Sequence, residues 1–399
     1  MRLPLLLILP VLVICLLVDW YICRAVWLRC KVHAGFWRRF ALWTSVLLNA
    51  ALVVAIVWPK KSASDADLSW LMWSLYAYFS VYVPKLVFIV FDLIGKIPTL
   101  FKHPRLKALG RTGIALAVII FGAMWWGALI NRYNIDVREV DMVDPTLPEA
   151  FDGLRLVQIS DIHTGSFGTD TAFVAKLVDR ANALGPDMIV FTGDVVNRKT
   201  AELTPFISPL SRLSAPMGVY SILGNHDYGD YYRWETPEAK EANMKLLRDM
   251  QRQMKWQLLD NESRTFRRGA DSLVLIGVEN IGDPPFPRYG NLEQAYKSLG
   301  DSAFKVLLSH NPAHWTDDIE LADSVNIALT LAGHTHAMQI TLPGGWSPAS
   351  FRYRTWGGLY GREGKRLYVN IGAGEVGIPA RIGATPEITV ITLRRSPAK

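Results

Sequence analysis

The sequence predicts an α/β domain preceded by an all-α region of four transmembrane helices, and three observations carry that expectation. Long, nearly uncharged apolar runs crowd the first third of the chain and none follows Ile130. From Asn134 the pattern changes to short β-branched or apolar runs, bounded by turn residues such as Asp144-Pro145 and Asp152-Gly153. Helical spacing appears between two of these runs, and strand, helix, strand implies parallel pairing. The two regions are expected over 1–133 and 134–399.

Four stretches suit a hydrocarbon core of roughly 30 Å: Leu3 to about Trp20, Ala41 to Trp58, Leu68 to about Ile94, and Ile114 to Ile130. The first lacks the small-x-small site of a cleaved signal peptide, and Asp19-Trp20-Tyr21 reads as an interface anchor. In the third, Pro84 and Lys85 imply a kink with a snorkelling lysine or an early end. Arg24, Arg29, Lys31, Arg38 and Arg39 follow the first span, and Lys96, Lys102, Arg105, Lys107 and Arg111 follow the third. The opposite side carries only Arg2, Lys60, Lys61, Arg132 and Arg138. The positive-inside tendency then makes the chain a multi-pass protein of the inner (cytoplasmic) membrane, with its second domain periplasmic or extracytoplasmic.

The chain's 399 residues, 50% of them hydrophobic, are ample for such a layout. Its net charge of +7 sits largely in loops between apolar runs, so no nucleic-acid partner is expected, and the lipid bilayer is. Cys15, Cys23 and Cys30 all lie in or beside the first run, which leaves the second domain without a cysteine zinc knot.

In the second domain, buried strands are expected at Leu154 to Ile159, Met188 to Thr192, Val219 to Leu223, Leu273 to Val278, Phe304 to Leu308 and Ile327 to Ala332, after a linker strand. Helices are expected at Ala172 to Leu184, Glu238 to Met254 and Leu292 to Leu299. Five of the six strands are followed by polar groups: Ser160-Asp161-Ile162-His163, Gly193-Asp194, Gly224-Asn225-His226-Asp227, Ser309-His310-Asn311 and Gly333-His334-Thr335-His336. The carboxyl edge of an α/β sheet is where ligands gather.

Side chains at i and i+2 of an extended segment point the same way, so Asp161 and His163 can converge, as can His334 and His336. Asp194 follows a glycine that permits a sharp turn, and its two oxygens can bridge two cations. Asn225 adds a neutral oxygen, and His310 completes two carboxylates, one amide and four imidazoles. This mixed set suits two divalent or trivalent transition-metal ions, manganese, iron or zinc. Such a pair clamps a phosphate and activates water. His226 is assigned to hydrogen-bond a phosphate oxygen or protonate the leaving oxygen, with Asp227 or a backbone carbonyl orienting it. Five of the eight histidines fall in this ordered set, and burying them without a metal would require a separate partner for each. His314, four residues after His310, reads as a surface or supporting residue. Asn197 reads either as a contact to a substrate phosphate or as a turn residue, and Asp230, Tyr231, Tyr232 and Trp234 lie on a loop that could line the substrate entrance.

Asp-x-His, Gly-Asp-x-x-Asn, Gly-Asn-His-Asp, a lone His and Gly-His-x-His in this order resemble the calcineurin-like metallophosphoesterases, the bacterial membrane-attached branch in particular. The resemblance spans roughly Pro148 to Leu393, including Leu367 to Gly372 and Pro386-Glu387-Ile388. It implies a β-sandwich flanked by helices, one metal on Asp161, His163, Asp194 and His336, and a second on Asp194, Asn225, His310 and His334. The chain departs from the family pattern at Ala337-Met338-Gln339, where relatives often have two glycines before the glutamine, and in having four helices where a single anchor is common.

The expected activity is hydrolysis of a phosphate, phosphodiester or pyrophosphate bond in a phosphorylated, lipid-linked substrate. The alternatives are a cytoplasm-facing nucleotide-lipid pyrophosphohydrolase and a non-enzymatic membrane sensor with a structural metal site.

Overall fold

The computed structural model describes residues 5–29, 34–57, 65–296 and 303–396. Leu3, Cys30, Lys31, Trp58, Lys60, Lys61 and the end of the helix expected at 292–299 lie outside them. The chain forms two compact units, Met1–Leu129 with Gly377–Pro379, and Ile130–Val376 with Ala380–Lys399.

The first unit holds α1 (Leu5–Arg29), α2 (Ala34–Val57), α3 (Asp65–Lys96) and α4 (Lys107–Leu129). Among the described residues, Leu68–Phe101 and Lys107–Tyr133 are long and apolar enough to cross a membrane, and the apolar helix Arg39–Val54 is shorter. Two local expectations change here. Helix α3 runs through Pro84 without ending, and Lys85 does not snorkel: its Nζ lies 2.8 Å from Asp19 Oδ1. Asp19 is buried, and its other oxygen accepts from Tyr82 (2.6 Å) and Asn49 (3.1 Å). A charge inside an apolar bundle needs such partners, so Asp19 is an internal polar contact and not an interface anchor. Tyr21 likewise donates to Asp92 (2.5 Å), a buried carboxylate that also meets Lys96 and Arg105.

The second unit carries, in order, β1 (Asp136–Asp144), β2 (Arg155–Ile159), α5 (Ala172–Ala183), β3 (Met188–Phe191), α6 (Ile207–Leu210), β4 (Val219–Ser221), α7 (Pro237–Gln253), β5 (Trp256–Leu258), β6 (Glu262–Arg268), β7 (Asp271–Gly277), α8 (Leu292–Tyr296), β8 (Phe304–Leu308), β9 (Leu329–Ala332), β10 (Gly358–Arg362), β11 (Lys365–Val369) and β12 (Glu387–Arg395). They form two six-stranded sheets, ordered β1-β12-β2-β3-β4-β5 and β10-β11-β9-β8-β7-β6. This is an α/β sandwich of two mixed sheets, the architecture the resemblance implied. All six expected strands exist, and the helix expected at Ala172 forms because Phe173, Val174, Leu177, Val178 and Ala181 all bury one face. Thr236 caps α7 by accepting the Ala239 N–H, with Pro237 opening the helix.

Strand alternation explains the layers. Leu156, Val190 and Ile391 of the first sheet meet Leu275, Val306 and Leu331 of the second in one core. The neighbouring Val157, Ile159 and Phe191 turn the other way, onto α5 and α7. Strands β2, β3 and β4 are mutually parallel, as are β8 and β9, so their carboxyl ends deliver the polar motifs from both sheets to one edge. Arg132 is a further departure, because its guanidinium is buried against Glu375 and is no solvated topology signal.

Candidate metal centre

The chain leaves each strand through a tight turn. Asp161 (φ 53°), His163 (50°), Asp194 (60°), His334 (76°) and His336 (50°) all adopt left-handed backbone, a region that costs non-glycine residues about 1–3 kcal/mol and collects at functional sites. Gly193 (φ 97°) has to be glycine, since a Cβ there would stand 2.8 Å from His310 Nδ1. Ala337, Met338 and Gln339 are also left-handed (φ 51°, 46° and 58°). Ala337 and Met338, where the family resemblance implies glycines, thus keep a glycine-type backbone. Gln339 pins it, donating to Ala380 O (3.0 Å) and accepting from Val376 N–H (2.6 Å).

The seven expected ligands come together. Asp161, His163 and His336 form one cluster and Asp194, His310 and His334 another, with the donor atoms of each within 4.8 Å of one another. His163 Nε2 lies 2.9 Å from His336 Nε2, which is 3.3 Å from Asp161 Oδ1. In the second cluster, Asn225 Oδ1 is 3.0 Å from His310 Nε2 and 2.8 Å from His334 Nδ1. Asp194 Oδ2 stands between them, 3.6 Å from His163 Nε2 and 3.2 Å from His310 Nε2. Carboxylate and amide oxygens and imidazole nitrogens from five loops converge on two neighbouring points, the mixed oxygen and nitrogen set that a pair of cations takes. The residues therefore fit two metal ions.

Electrostatics agree with that fit. Burial pushes the Asp161 and Asp194 carboxyls up, yet the facing imidazoles, His336 for the first and His310 for the second, hold both below the usual carboxylate range. His310 is buried too, but Asp194 and Asp161 raise it to about 9. Burial lowers His334 to about 3, and lowers His163 and His336. In the absence of a cation the carboxylates thus hold a proton at His310, which a bound metal would have to displace, while the other three imidazoles are neutral, the form that ligates metals.

Beside the clusters, His226 is half-buried with its ring edge-on to His163 at 4.8 Å. Of the two orienting groups expected for it, the Asn197 carbonyl is the one in place, accepting from Nδ1 at 2.6 Å. Asp227 faces elsewhere: fully buried, it accepts the backbone N–H groups of Asp194, Val195, Val196 and Gly224 at 2.8–3.2 Å. It ties the Asp194 and Asn225 loops together and does not orient His226. Burial, reinforced by Asp194, raises its carboxyl to about 7 against those amides. His314 is buried and in neither cluster, so the surface reading fails; Ser309 Oγ meets its Nδ1 at 2.8 Å.

Several supporting groups had no signal in the sequence. His310 Nδ1 donates to Thr192 O (2.8 Å), Tyr353 OH meets His334 Nε2 (3.0 Å), and buried Arg381 meets His336 Nδ1 (3.0 Å) while donating to the Gly374, Ile371 and Ala384 carbonyls. Arg381 lies far along the chain in an unremarkable stretch, and only the fold brings it here. Tyr231, expected to line the entrance, accepts from Asn225 Nδ2 (2.9 Å) and stacks on His226 at 4.2 Å. Asp230 instead pairs with Lys240 at 2.5 Å, and Trp234 donates to Gly229 O.

The calcineurin-like phosphoesterase family model matches residues 154–338, and one described as a probable calcineurin-like phosphoesterase, transmembrane domain, matches residues 1–132. A Danio rerio transmembrane protein with a metallophosphoesterase domain is 30% identical over 88% of this chain and 80% of its own length. An uncharacterized Bacillus subtilis metallophosphoesterase is 29% identical over 69% of this chain and 95% of its own. The UDP-2,3-diacylglucosamine pyrophosphatase of Chlamydia muridarum is 27% identical over 59% of this chain and 79% of its own. With these likenesses added to two ligand clusters at one sandwich edge, the chain belongs to the calcineurin-like metallophosphoesterases as a membrane-associated, metal-binding phosphoester hydrolase.

Proposed function

We propose that the chain cleaves a phosphate, phosphodiester or pyrophosphate bond of a lipid-linked substrate at the outer face of the cytoplasmic membrane. In this reading four helices cross the membrane, and residues 134–399 form the catalytic domain. One manganese, iron or zinc ion is held by Asp161, His163, Asp194 and His336, the second by Asp194, Asn225, His310 and His334. The observation that carries the reading is the Asp194 carboxylate standing between the two clusters with His226 beside it. When bound, the two ions supply Lewis-acid charge and an activated water for an in-line displacement.

The protein's own groups do the rest. With Nδ1 committed to the Asn197 carbonyl, His226 has Nε2 left to hydrogen-bond a phosphate oxygen or deliver a proton to the leaving oxygen. Tyr231 holds that ring by stacking, and Asp227 holds the loops that carry Asp194 and Asn225. A lipid-linked substrate draws support from the membrane unit and from the chlamydial relative, whose name specifies a lipid pyrophosphate. That relative equally supports the cytoplasm-facing alternative, and a reporter fused after Lys399 separates the two by the side on which it reads.

The central test is hydrolysis of a model phosphodiester by the full chain with Mn²⁺. Asp194→Asn is expected to abolish turnover and His226→Ala to lower kcat by about 10²–10⁴-fold. Full activity in both variants would sink the proposal, whereas no turnover by the wild type, with stability falling on metal removal, would return the sensor reading.

A further inference from the structure

Between its last ligand, His336, and the tyrosine that braces His334, Tyr353, the chain builds a feature that hydrolysis does not require. Residues 342–346 form a tight hairpin in which Leu342 and Trp346 pair across the turn, the Leu342 N–H donating to Trp346 O at 2.8 Å. Phe351 packs edge-on against Trp346 with ring centroids 5.4 Å apart. The three side chains are nevertheless exposed: Leu342 by 46%, Trp346 by 42% and Phe351 by 84%. The base below them is rigid, because Ser347 Oγ donates to Ala337 O at 2.6 Å and Ala349 is fully buried.

An isolated exposed leucine needs no explanation, but a rigidly presented aliphatic and aromatic group does. Tryptophan, phenylalanine and leucine beside arginines form the side-chain chemistry of the layer between bilayer headgroups and acyl chains. Arg352 and Arg354 follow directly; both are paired, with Asp283 and Glu320, yet both side chains remain more than half exposed. The chain supplies the matching partner itself, since its first third carries the membrane-embedded segments.

We infer that Leu342, Trp346 and Phe351 form a membrane-dipping lip on the metal centre: the lip seats in the interfacial layer of the chain's own bilayer, so that a phosphorylated headgroup enters from the membrane side. Entry of a headgroup rests on the lipid-linked reading above, whereas insertion of the lip does not. The segment that carries His334 and His336 is thereby also the segment that meets lipid.

The test uses the full chain with Cys15, Cys23 and Cys30 replaced by alanine and one spin label at Phe351→Cys, with Glu262→Cys on exposed β6 as reference. Both proteins are reconstituted into vesicles of phosphatidylethanolamine and phosphatidylglycerol, and label collisions with oxygen and with a water-soluble nickel chelate are compared. The label at 351 is expected to be oxygen-accessible and chelate-protected, and the label at 262 the reverse. Equal chelate access at both positions overturns the lip. So does dipolar coupling between labels at 351 on two chains, which would assign the face to a second copy. Cleavage of a bilayer-presented phosphoester is measured on the same samples, relative to a soluble one. Trp346→Ser with Phe351→Ser is expected to lower that ratio about tenfold. Insertion without cleavage of any lipid substrate would sink the lipid-linked reading and leave the lip standing; cleavage with a water-exposed label would do the opposite.

Discussion

The Tyr353 hydroxyl shows how much of a metal centre is made by residues that never touch the metal. Its contact at 3.0 Å fixes Nε2 of His334 and so presents Nδ1 to Asn225 and His310. Removing such an outer partner typically weakens metal binding 10–100-fold, so Tyr353→Phe should do so by about that factor, read as metal retained per chain against a graded chelator. Unchanged retention would mean that the contact is incidental. His314 makes a different prediction, about stability. Burial lowers its pKa from 6.5 to about 4, with Asp318 opposing and Arg288, which holds Asp318, reinforcing. The unfolded chain therefore takes up this proton first as pH falls. The stability due to a neutral His314 is complete above about pH 6.5 and is lost on acidification toward pH 4, by about 3 kcal/mol. Between those limits His314→Gln should show a shallower fall in melting temperature than the wild type, because the metal ligands titrate in both. Parallel curves would refute it.

At the scale of elements, the helices of the membrane unit are joined by a polar contact that hydropathy cannot reveal. Asp19 on α1, Asn49 on α2, and Tyr82 and Lys85 on α3 form one hydrogen-bonded group near the middle of three helices. Losing one member of a buried ion pair strands the other, at about 3–5 kcal/mol, whereas replacing both by apolar groups is often neutral. Asp19→Leu or Lys85→Met alone should therefore destabilise the full chain more than the two together, measured as thermal unfolding in detergent. Additive losses would show that the pair does not act as a unit. The same contrast explains what was legible in advance. The central strands announced themselves by being apolar on both faces, as in Met188–Phe191 and, Lys305 apart, Phe304–Leu308, with their ligands following at once. Edge strand β6, Glu-Ser-Arg-Thr-Phe-Arg-Arg, is mostly solvated and reads as loop, and β5 has three residues, too few for a period to show. Asp19 and Lys85 were misjudged because each was read against water, when the group it meets lies 66 positions away.

For the whole molecule, the decisive fact is that neither sheet owns the site. Strands β2, β3 and β4 bring Asp161, His163, Asp194 and Asn225 from one sheet, and β8 and β9 bring His310, His334 and His336 from the other. Cations bound there would therefore stitch the two sheets together at the edge where five of the candidate ligands hold left-handed backbone and two buried carboxylates crowd the imidazoles. Metal binding has to offset that strain and repulsion, and whatever free energy remains belongs to the stability of the sandwich. An ion present at 100 times its dissociation constant adds about 2.7 kcal/mol to the folded state. In a unit of this size each kcal/mol moves the melting point by about 2–4 °C, so chelation should lower the sandwich transition by roughly 5–10 °C per ion lost. Among the described residues the helical unit supplies none to either cluster, and its transition should stay in place. Calorimetry of the full chain in detergent, with and without chelator, distinguishes the cases. A sandwich transition indifferent to chelator would mean that the two clusters hold their geometry by hydrogen bonds alone, and the claim that cations join the sheets would have to be abandoned.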